Sequence, residues 1–474
     1  MAPDLREKSG VRIAIEGCGH GTLHAIYASV AESCTRQGWP GVDLLIICGD
    51  FQAVRNAMDL HCVSMPAKYR AMHDFHEYYA GRRAAPYLTV FVGGNHEASN
   101  YLAELYYGGW VARDIYYMGA ANVLRLGALR IAGLSGIFKP YNYHKPHHER
   151  LPYSEGDLKS IYHVRELDVR KLLHVRTQVD VGISHDWPKG VEWLGDYEQL
   201  FRRKKHLRPD AERGALGSGP ANEAMRHLRP RLWFSAHLHC KYAAVIKHET
   251  AADSISTARA PAPSEAPAPA SNTDEIDLGL DDTGPPPAAA TPSPAAARAQ
   301  VSHLFQRAQQ PPPPPAITNP ETRFLALDKC EPNRHFLQLL AVPTASPIEP
   351  ATRPLQLHYD AEWLAITRAF ALDAASPAGA PDHRAPASAP RPAHRLTAAY
   401  AAALDERLAW VRERWPTDAD LEVPRDFCVT APVYDGGDWR APQYRRVEAH
   451  ANPQTAAFCR MLEIGDPFGG TRAA

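Results

Sequence analysis

Residues 42–56 read VDLLIICGDFQAVRN, and this stretch limits the folds that the chain can adopt. The run LLII within it is short, apolar and rich in β-branched residues, which predicts a strand that is buried on both faces. The chain then turns at Gly49 and presents a carboxylate at Asp50. A buried strand that ends in a glycine and a polar residue is typical of the carboxyl edge of a layered α/β sheet.

Four other segments repeat this pattern of an apolar run followed by small and polar residues. They are VRIAIEG (11–17), PYLTVFVGGN (86–95), VDVGISHDWP (179–188) and RLWFSAHLHC (231–240). Because amphipathic stretches separate these runs, we expect a layered α/β domain. Since polar side chains follow strand after strand, we expect the functional site at the carboxyl ends of the strands.

The composition sets the class of protein. The 474-residue chain is 45% apolar, as a packed globular protein requires, and its formal net charge is −1. An acidic ligand must therefore be held by local basic clusters or by metal ions. The N-terminus is polar and no segment has membrane-spanning length, so we expect a soluble, unsecreted protein. The eight cysteines form no C-x-x-C pair, which argues against a disulfide framework and against a zinc ribbon.

Two Pro/Ala-rich segments interrupt the chain, at 251–321 and 375–394. Their composition cannot bury enough apolar surface to order them, so we predict disordered insertions. Strand-like runs flank the first segment, with YAAVIKHE before it and TRFLALDKC and HFLQLLAV after it. We therefore expect this insertion to interrupt a sheet edge within one domain.

These boundaries predict a catalytic domain over 11–345 and a C-terminal domain over 350–474. In the second domain, LHYDAEWLAITRAF (357–370) and AAYAAALDERLAWVRERW (398–415) have helical apolar spacing. We therefore expect the C-terminal domain to be small and mainly helical.

Five short segments at the predicted strand ends supply side chains of the kinds that bind metals. They are Cys18-Gly19-His20, Gly49-Asp50, Gly93-Gly94-Asn95-His96-Glu97, Ser184-His185-Asp186 and His237-Leu238-His239. Residues i and i+2 of an extended chain point the same way, so Cys18 with His20, and His237 with His239, can each converge. A pair of divalent ions needs a bridging carboxylate, and Asp50 is the natural candidate.

Each motif alone is weak evidence, because a single buried histidine or cysteine is more often part of a core, and Gly-Asp is an ordinary turn. The ordered set of five is much more specific and indicates a binuclear metal centre. A thiolate at Cys18 would favour zinc or iron in its site, whereas a carboxylate there would accept magnesium or manganese more readily.

The order of the motifs resembles that of the calcineurin-like metallophosphoesterases, which run D-x-H, G-D, G-N-H-[DE], an isolated His and G-H-x-H. Two departures narrow the resemblance: Cys18 replaces the first Asp, and Ala53 replaces the second Asp of G-D-x-x-D. Both departures are similar to lariat debranching enzymes, which pair C-x-H with GDFQAVRN. The likeness extends through GNHEASNYLAELYYGGWVA, GLSGIFKPYNYHK, SHDWP, FSAHLH, VPRDFCVTAPVYD and NPQTAAFCRML.

The resemblance implies a metallophosphoesterase fold, in which helices flank a layered β-sandwich. It implies hydrolysis of the 2′–5′ phosphodiester bond at the branch point of excised intron lariats, which gives linear RNA for intron turnover. It also implies two divalent ions, with Fe²⁺ or Zn²⁺ expected and Mn²⁺ able to substitute, and residence in the nucleus, where spliceosome-associated proteins are candidate partners.

Carried over motif by motif, the resemblance assigns roles to individual residues. One ion would take Cys18, His20, Asp50 and His239, and the other would take Asp50, Asn95, His185 and His237. His96 would protonate the leaving oxygen. Ala53 leaves open what orients His96, for which Glu97 or a substrate phosphate are candidates. Asp186 would either hydrogen-bond a ligand histidine or cap a helix.

The segment KPYNYHKPHHERLPY (139–153) combines tyrosines, histidines and basic residues, which suit the stacking of unpaired bases and the neutralisation of phosphates. We expect it to contact the branch point, through Lys139, Tyr141, Tyr143 and His144. The basic run between Arg202 and Arg208 would track the phosphate backbone or direct nuclear import, and a merely solvated face is an equal alternative.

Two other functions stay open at this point. The fold and the metal motifs do not define the substrate, so a general phosphodiesterase or protein phosphatase is one alternative. A non-catalytic scaffold that presents its Pro-rich insertion to SH3- or WW-type domains is the other. All the ligand positions and His96 are intact, which favours an enzyme.

Overall fold

The computed structural model describes residues 10–248, 314–344, 353–372 and 398–466. Its strands are β1 (Val11–Glu16), β2 (Leu44–Ile47), β3 (Thr89–Phe91), β4 (Gly109–Ala112), β5 (Ile115–Tyr117), β6 (Ala121–Leu126), β7 (Leu129–Leu134), β8 (Val181–Ser184), β9 (Leu232–Ser235), β10 (Tyr242–Lys247), β11 (Glu321–Ala326), β12 (Leu337–Val342) and β13 (Leu357–Tyr359). Its helices are α1 (Leu23–Gln37), α2 (Phe75–Tyr79), α3 (Ser99–Glu104), α4 (Pro140–Tyr143), α5 (Glu155–Leu158), α6 (Glu166–Leu172), α7 (Tyr197–Arg203), α8 (Leu207–Glu212), α9 (Gly219–Leu228), α10 (Ala361–Leu372), α11 (Ala398–Arg414) and α12 (Pro453–Leu462).

The strands form two mixed sheets. The first has six strands in the order β12-β1-β2-β3-β5-β4, and the second has seven in the order β10-β11-β9-β8-β7-β6-β13. At the centre of the first sheet, β1, β2, β3 and β5 are parallel. At the centre of the second, β7, β8, β9 and β11 are parallel. The five strands that the apolar runs predict before residue 241 are all central, parallel members.

The two sheets pack face to face, and the alternation of side chains along each strand explains why. In β2, Leu44 and Ile46 point into the core between the sheets, where Val181 and Ile183 of β8 meet them, while Leu45 packs on the opposite face. The runs are apolar throughout because both faces of these strands are buried. The predicted layered β-sandwich is therefore confirmed.

Helices cover the outer faces of both sheets. Helix α1 packs on the first sheet through Leu23, Ile26 and Val30. Helices α6, α9 and α10 join the apolar cluster on the outer face of the second sheet, which includes Trp233 of β9. Residues of α10, α11 and α12 also form a separate apolar cluster with Tyr106 and Tyr107.

Two expectations need correction where the structure describes the chain. Residues 314–321 were expected to be disordered, but Ile317 is buried and Glu321 begins β11. The predicted helical run 357–370 is helical only from Ala361, because Leu357–Tyr359 pairs antiparallel with β6 and extends the second sheet. The rest of the first Pro/Ala-rich segment, and all of 375–394, lie outside the described residues.

The first insertion joins β10 to β11, and these strands pair antiparallel at one edge of the second sheet, as the flanking runs predicted. Among the described residues, no helix is both long enough and apolar enough to cross a membrane.

Candidate metal centre

The ligand motifs meet because each directly follows the carboxyl end of a central strand. Two glycines make this convergence possible. A Cβ at Gly49, where φ is 113°, would lie 2.2 Å from Nδ1 of His185, and one at Gly94 would lie 2.1 Å from Oδ1 of Asp50. Any larger residue at either position would collide with a ligand side chain.

Four of the predicted ligands have left-handed backbone conformations, which non-glycine residues rarely adopt. Their φ angles are 42° at His20, 47° at Asp50, 63° at His237 and 47° at His239. Such residues each cost on the order of 1–3 kcal/mol and persist only where the surrounding structure imposes them. Their concentration in one place is typical of a functional site.

The first predicted ligand set is assembled. The ligand atoms of Cys18, His20, Asp50 and His239 all lie within 4.8 Å of one another. The Nε2 atoms of His20 and His239 are 3.3 Å apart, and Nε2 of His20 is 3.7 Å from Oδ2 of Asp50. Sγ of Cys18 also accepts the backbone N–H of His237 at 3.2 Å, which ties Cys18 to the turn that carries His239.

The protonation of these groups fits a cation. Burial lowers the pKa of His20 to about 4, and burial together with the charge of His20 lowers that of His239 to about 2. Both imidazoles are therefore neutral near pH 7, with lone pairs available to a metal. Burial, then Asp50, raises the pKa of the Cys18 thiol, so a thiolate here requires a positive partner. Soft and borderline donors around one carboxylate match a divalent transition metal.

The second predicted ligand set surrounds the other oxygen of Asp50. Nε2 of His185 lies 3.4 Å from Oδ1 of Asp50 and 3.3 Å from Oδ1 of Asn95. The ring of His237 is centred 5.0 Å from that of His185, and burial lowers the pKa of His237 to about 3. Because Oδ2 faces His20 while Oδ1 faces His185, the Asp50 carboxylate lies where a bridging ligand must be.

Backbone and amide groups orient the ligand histidines. Nδ1 of His185 donates to the carbonyl of Cys48 at 2.8 Å, which leaves its Nε2 directed at Asp50. Nε2 of the Gln52 amide lies 3.1 Å from Nδ1 of His20. A half-turn of this amide places its oxygen there instead, where it accepts Nδ1–H and leaves Nε2 of His20 for a metal, as at His185. Gln52 was not singled out from the sequence, although it belongs to the GDFQAVRN motif.

His96 lies beside the two ligand sets and is held at two points. Its backbone N–H donates to Oδ1 of Asp50 at 2.8 Å, and its Nδ1 donates to the carbonyl of Ser64 at 2.7 Å. Its ring is centred 5.9 Å from that of His20. The Ser64 carbonyl therefore orients the His96 ring, although Ala53 stands where many relatives of this fold have an aspartate. Nδ1 carries a proton in this arrangement, so Nε2 is the nitrogen left to face a substrate.

Glu97 does not orient His96, contrary to one alternative from the sequence. Its buried carboxylate accepts the backbone N–H groups of Phe51 and Gln52, each at 2.8 Å, and of Gly94 at 2.9 Å. Burial and the charge of Asp50 raise the pKa of Glu97, while the three N–H donors oppose this shift by stabilising the carboxylate. Glu97 thus ties the turn that carries Asp50 to the turn that carries Asn95.

Asp186 does not hydrogen-bond the ligand histidine His185, which was one of the two roles expected for it, because Nδ1 of His185 donates to the carbonyl of Cys48. Oδ2 of Asp186 instead accepts the backbone N–H of Phe138 at 3.2 Å. Burial raises the pKa of Asp186 to about 6. This bond fixes the start of the predicted recognition segment against the end of β8. Gly136, just before it, donates to the carbonyl of Gly93 at 2.7 Å, so the segment begins beside the metal motifs.

The four predicted RNA contacts in this segment differ in their surroundings. Tyr141 on α4 is 62% exposed, and Lys139 precedes the same helix. Tyr143 instead packs against the core of the second sheet, and Nδ1 of His144 lies 2.5 Å from Oε2 of Glu166. Tyr141 and His144 are thus the more exposed of the four, and all four assignments stay predictions.

Comparison with known proteins bears on what this site does. Residues 11–241 match the family model of the calcineurin-like phosphoesterases, and residues 319–467 match that of the lariat debranching enzyme C-terminal domain. The chain is 39% identical over 462 residues to the lariat debranching enzyme of Homo sapiens, an alignment that covers 96% of this chain and 70% of that protein. The lariat debranching enzyme of Schizosaccharomyces pombe is 39% identical over 467 residues, covering 94% of this chain and 95% of that protein. The lariat debranching enzyme of Drosophila melanogaster is 39% identical over 471 residues, covering 97% of this chain and 78% of that protein.

Proposed function

Because the chain belongs to the lariat debranching enzyme family, we propose that it hydrolyses the 2′–5′ phosphodiester bond at the branch point of intron lariats, with two divalent ions and with His96 as general acid. The convergence of Cys18, His20, Asp50 and His239 within 4.8 Å, with His96 bonded to the same Asp50, is the observation that carries this proposal. The products are linear RNA with a free 2′-hydroxyl and a 5′-phosphate.

The donor set supports two ions. One would be held by Cys18, His20, Asp50 and His239, and the other by Asp50, Asn95, His185 and His237. Such ions activate water as a nucleophile and stabilise negative charge on the phosphate. The thiolate of Cys18 favours Fe²⁺ or Zn²⁺ in the first position, with Mn²⁺ able to substitute. Metal analysis of anaerobically purified protein tests this, and a preparation that is fully active with magnesium alone would contradict it.

His96 is placed to transfer a proton from Nε2. When its imidazole is doubly protonated, Nδ1–H remains bonded to the Ser64 carbonyl and Nε2–H is free to donate. As the bond from phosphorus to the 2′ oxygen breaks, that oxygen takes the Nε2 proton together with the bonding electron pair. The neutral tautomer that is left still donates through Nδ1, so the ring keeps its position throughout.

The substrate side of the site is assigned to the segment that begins at Lys139. The ammonium of Lys139 suits a phosphate, and the exposed ring of Tyr141 suits an unpaired base. Nuclear residence and contact with spliceosome-associated proteins follow from the substrate class and are part of the same proposal. A tagged chain that is excluded from nuclei would contradict that part.

Replacement of His96 with alanine tests the proposed acid. The variant should retain both metals and bind branched RNA with similar affinity, yet turn over roughly 10²–10⁴ times more slowly. The defect should shrink for a nitrophenyl phosphodiester, whose leaving group needs no proton. His335→Ala, at an exposed position outside the proposed RNA-binding segments, is the matched control. Loss of metal in His96→Ala, or an equal defect on both substrates, would show that His96 is a ligand or a structural residue.

A comparison of substrates separates this function from its alternatives. The wild-type protein should hydrolyse a 2′–5′ branch and leave linear 3′–5′ RNA intact. Comparable rates on both RNAs would favour a general phosphodiesterase. A metal-loaded protein that binds branched RNA and hydrolyses neither would favour a scaffold.

A further inference from the structure

A basic surface lies on the segment that leads away from Ser64, the residue whose carbonyl orients His96. Part of it comes from residues 68–70, and part from the irregular chain before α12 that packs on them. We call it the basic–aromatic surface and define it as Lys68, Tyr69, Arg70, Trp439, Arg440 and Arg445. Nothing in the proposed reaction uses these residues.

Trp439 holds the two parts of this surface together. Its ring is centred 5.2 Å from that of His61, and its carbonyl oxygen lies 2.9 Å from Nε2 of His61. The guanidinium carbons of Arg70 and Arg440 lie 5.6 Å and 4.8 Å from the centre of the Trp439 ring. Planar cations therefore flank an aromatic side chain that joins the C-terminal part of the chain to the vicinity of His96.

The surface is exposed and carries positive charge. Tyr69 is 42% exposed, and Nζ of Lys68 lies 4.6 Å from the centre of its ring. The side chain of Arg440 is 60% exposed and forms an ion pair with Asp438 at 3.4 Å. Because this pair is open to solvent, water weakens the attraction between its charges. Burial lowers the pKa of His61, the hydrogen bond to the Trp439 carbonyl opposes this, and the charges of Arg70 and Arg445 lower the pKa further. Both arginines therefore lie within electrostatic range of His61.

We infer that the basic–aromatic surface binds one single-stranded arm of the branched RNA, through phosphate contacts and stacking of bases. This inference rests on the proposed function. A branch point joins three chains, so the segment that starts at Lys139 does not account for all of them. Exposed aromatic rings among arginines and lysines are the combination that binds single-stranded RNA without regard to sequence. The surface adjoins Ser64, so an arm that leaves the site past His96 reaches it first.

The test compares branched RNAs whose arms are about eight nucleotides long with a minimal branched trinucleotide. The triple variant Lys68→Ala, Arg440→Ala, Arg445→Ala should raise Kd and KM for the long-armed RNA roughly tenfold, with kcat unchanged. The slope of log Kd against log salt should fall by about 0.7 for each lost phosphate contact. Kd and KM for the trinucleotide should stay as in the wild type. Tyr69→Ala should raise the long-arm Kd roughly fivefold or more, and Tyr69→Phe should restore it.

The matched control is the triple variant Arg36→Ala, Arg323→Ala, Arg412→Ala, which removes exposed arginines from α1, β11 and α11. It should leave the long-arm Kd unchanged. The inference is overturned if both triple variants bind the long-armed RNA alike, as they would if the surface served a protein partner, or if binding of the trinucleotide weakens equally. Should the wild type hydrolyse neither RNA, the proposed function fails, while the comparison of Kd still decides whether this surface binds an arm.

Discussion

Replacing Glu97 with alanine should loosen the metal centre although it removes no ligand. The buried carboxylate accepts three backbone N–H groups, from Phe51, Gln52 and Gly94, at 2.8 to 2.9 Å. Two of these donors follow Asp50, and the third precedes Asn95. Without the carboxylate, the two turns lose the group that joins them, and three buried donors lose their acceptor.

The cost follows from the number of donors. Each buried donor left unpaired costs about 1–3 kcal/mol, so three cost on the order of 3–9 kcal/mol if no water reaches them. Water entering the space vacated by the side chain lowers this, and we expect a loss near the lower limit. Glu97→Gln keeps an acceptor for Phe51 and Gly94 but turns an NH₂ group toward the N–H of Gln52. It should therefore cost about 1–3 kcal/mol.

Urea denaturation, metal analysis and turnover of branched RNA, measured on the same preparations, test this ranking. The free energy of unfolding and the metal content should both fall in the order wild type, Glu97→Gln, Glu97→Ala. Glu32→Ala is the control, because the Glu32 side chain is 65% exposed, and it should change stability by no more than about 0.5 kcal/mol. A Glu97→Ala protein with the wild-type urea midpoint and full metal content would refute the reasoning.

Two further predictions concern groups around the first ligand set. Cys18→Asp should shift metal preference toward Mn²⁺, since a carboxylate is a harder ligand than a thiolate, and an unchanged preference among Zn²⁺, Fe²⁺ and Mn²⁺ would count against Cys18 as a ligand. Gln52→Leu should weaken metal binding at the site of His20 by roughly 10- to 100-fold, because the amide that orients the imidazole is lost, and Gln52→Glu should recover most of it. Competition with a chelator measures this affinity, and equal affinity in Gln52→Leu and wild type would show that the amide has no orienting role.

Most of the strands that could be predicted are buried on both faces, and the alternating edge strand β10 is an exception. Runs such as LLII in β2 are apolar without interruption, and each ends in ligand residues, so both the strand and its site could be read from one pattern. Strands β4 to β7 lack this signal. β4 and β5 are only four and three residues long, and the polar residues Asn122, Arg125 and Arg130 interrupt β6 and β7, so no long apolar run marks these strands.

Tertiary context explains the error at Leu357–Tyr359. These three residues continue the apolar spacing of the helix that begins at Ala361, and a run this short carries no period of its own. Their conformation is decided by β6, which pairs with them from a position more than two hundred residues earlier in the chain. A sequence pattern reports local preference and cannot show such a partner.

Apart from the side chain of Gln52, the site contacts that were missed share a different property, which is that they use the backbone. Ser64 holds His96 by its carbonyl, Cys48 holds His185 in the same way, and the N–H of His96 binds Asp50. A carbonyl is present at every residue, so no side chain identifies the one that is used. The side chains at the strand ends thus define which chemistry is available, whereas the turns between them aim each histidine. Strained turns at Asp50 and His20, held by Glu97 and Gln52, are therefore as necessary to the metal centre as the ligands are.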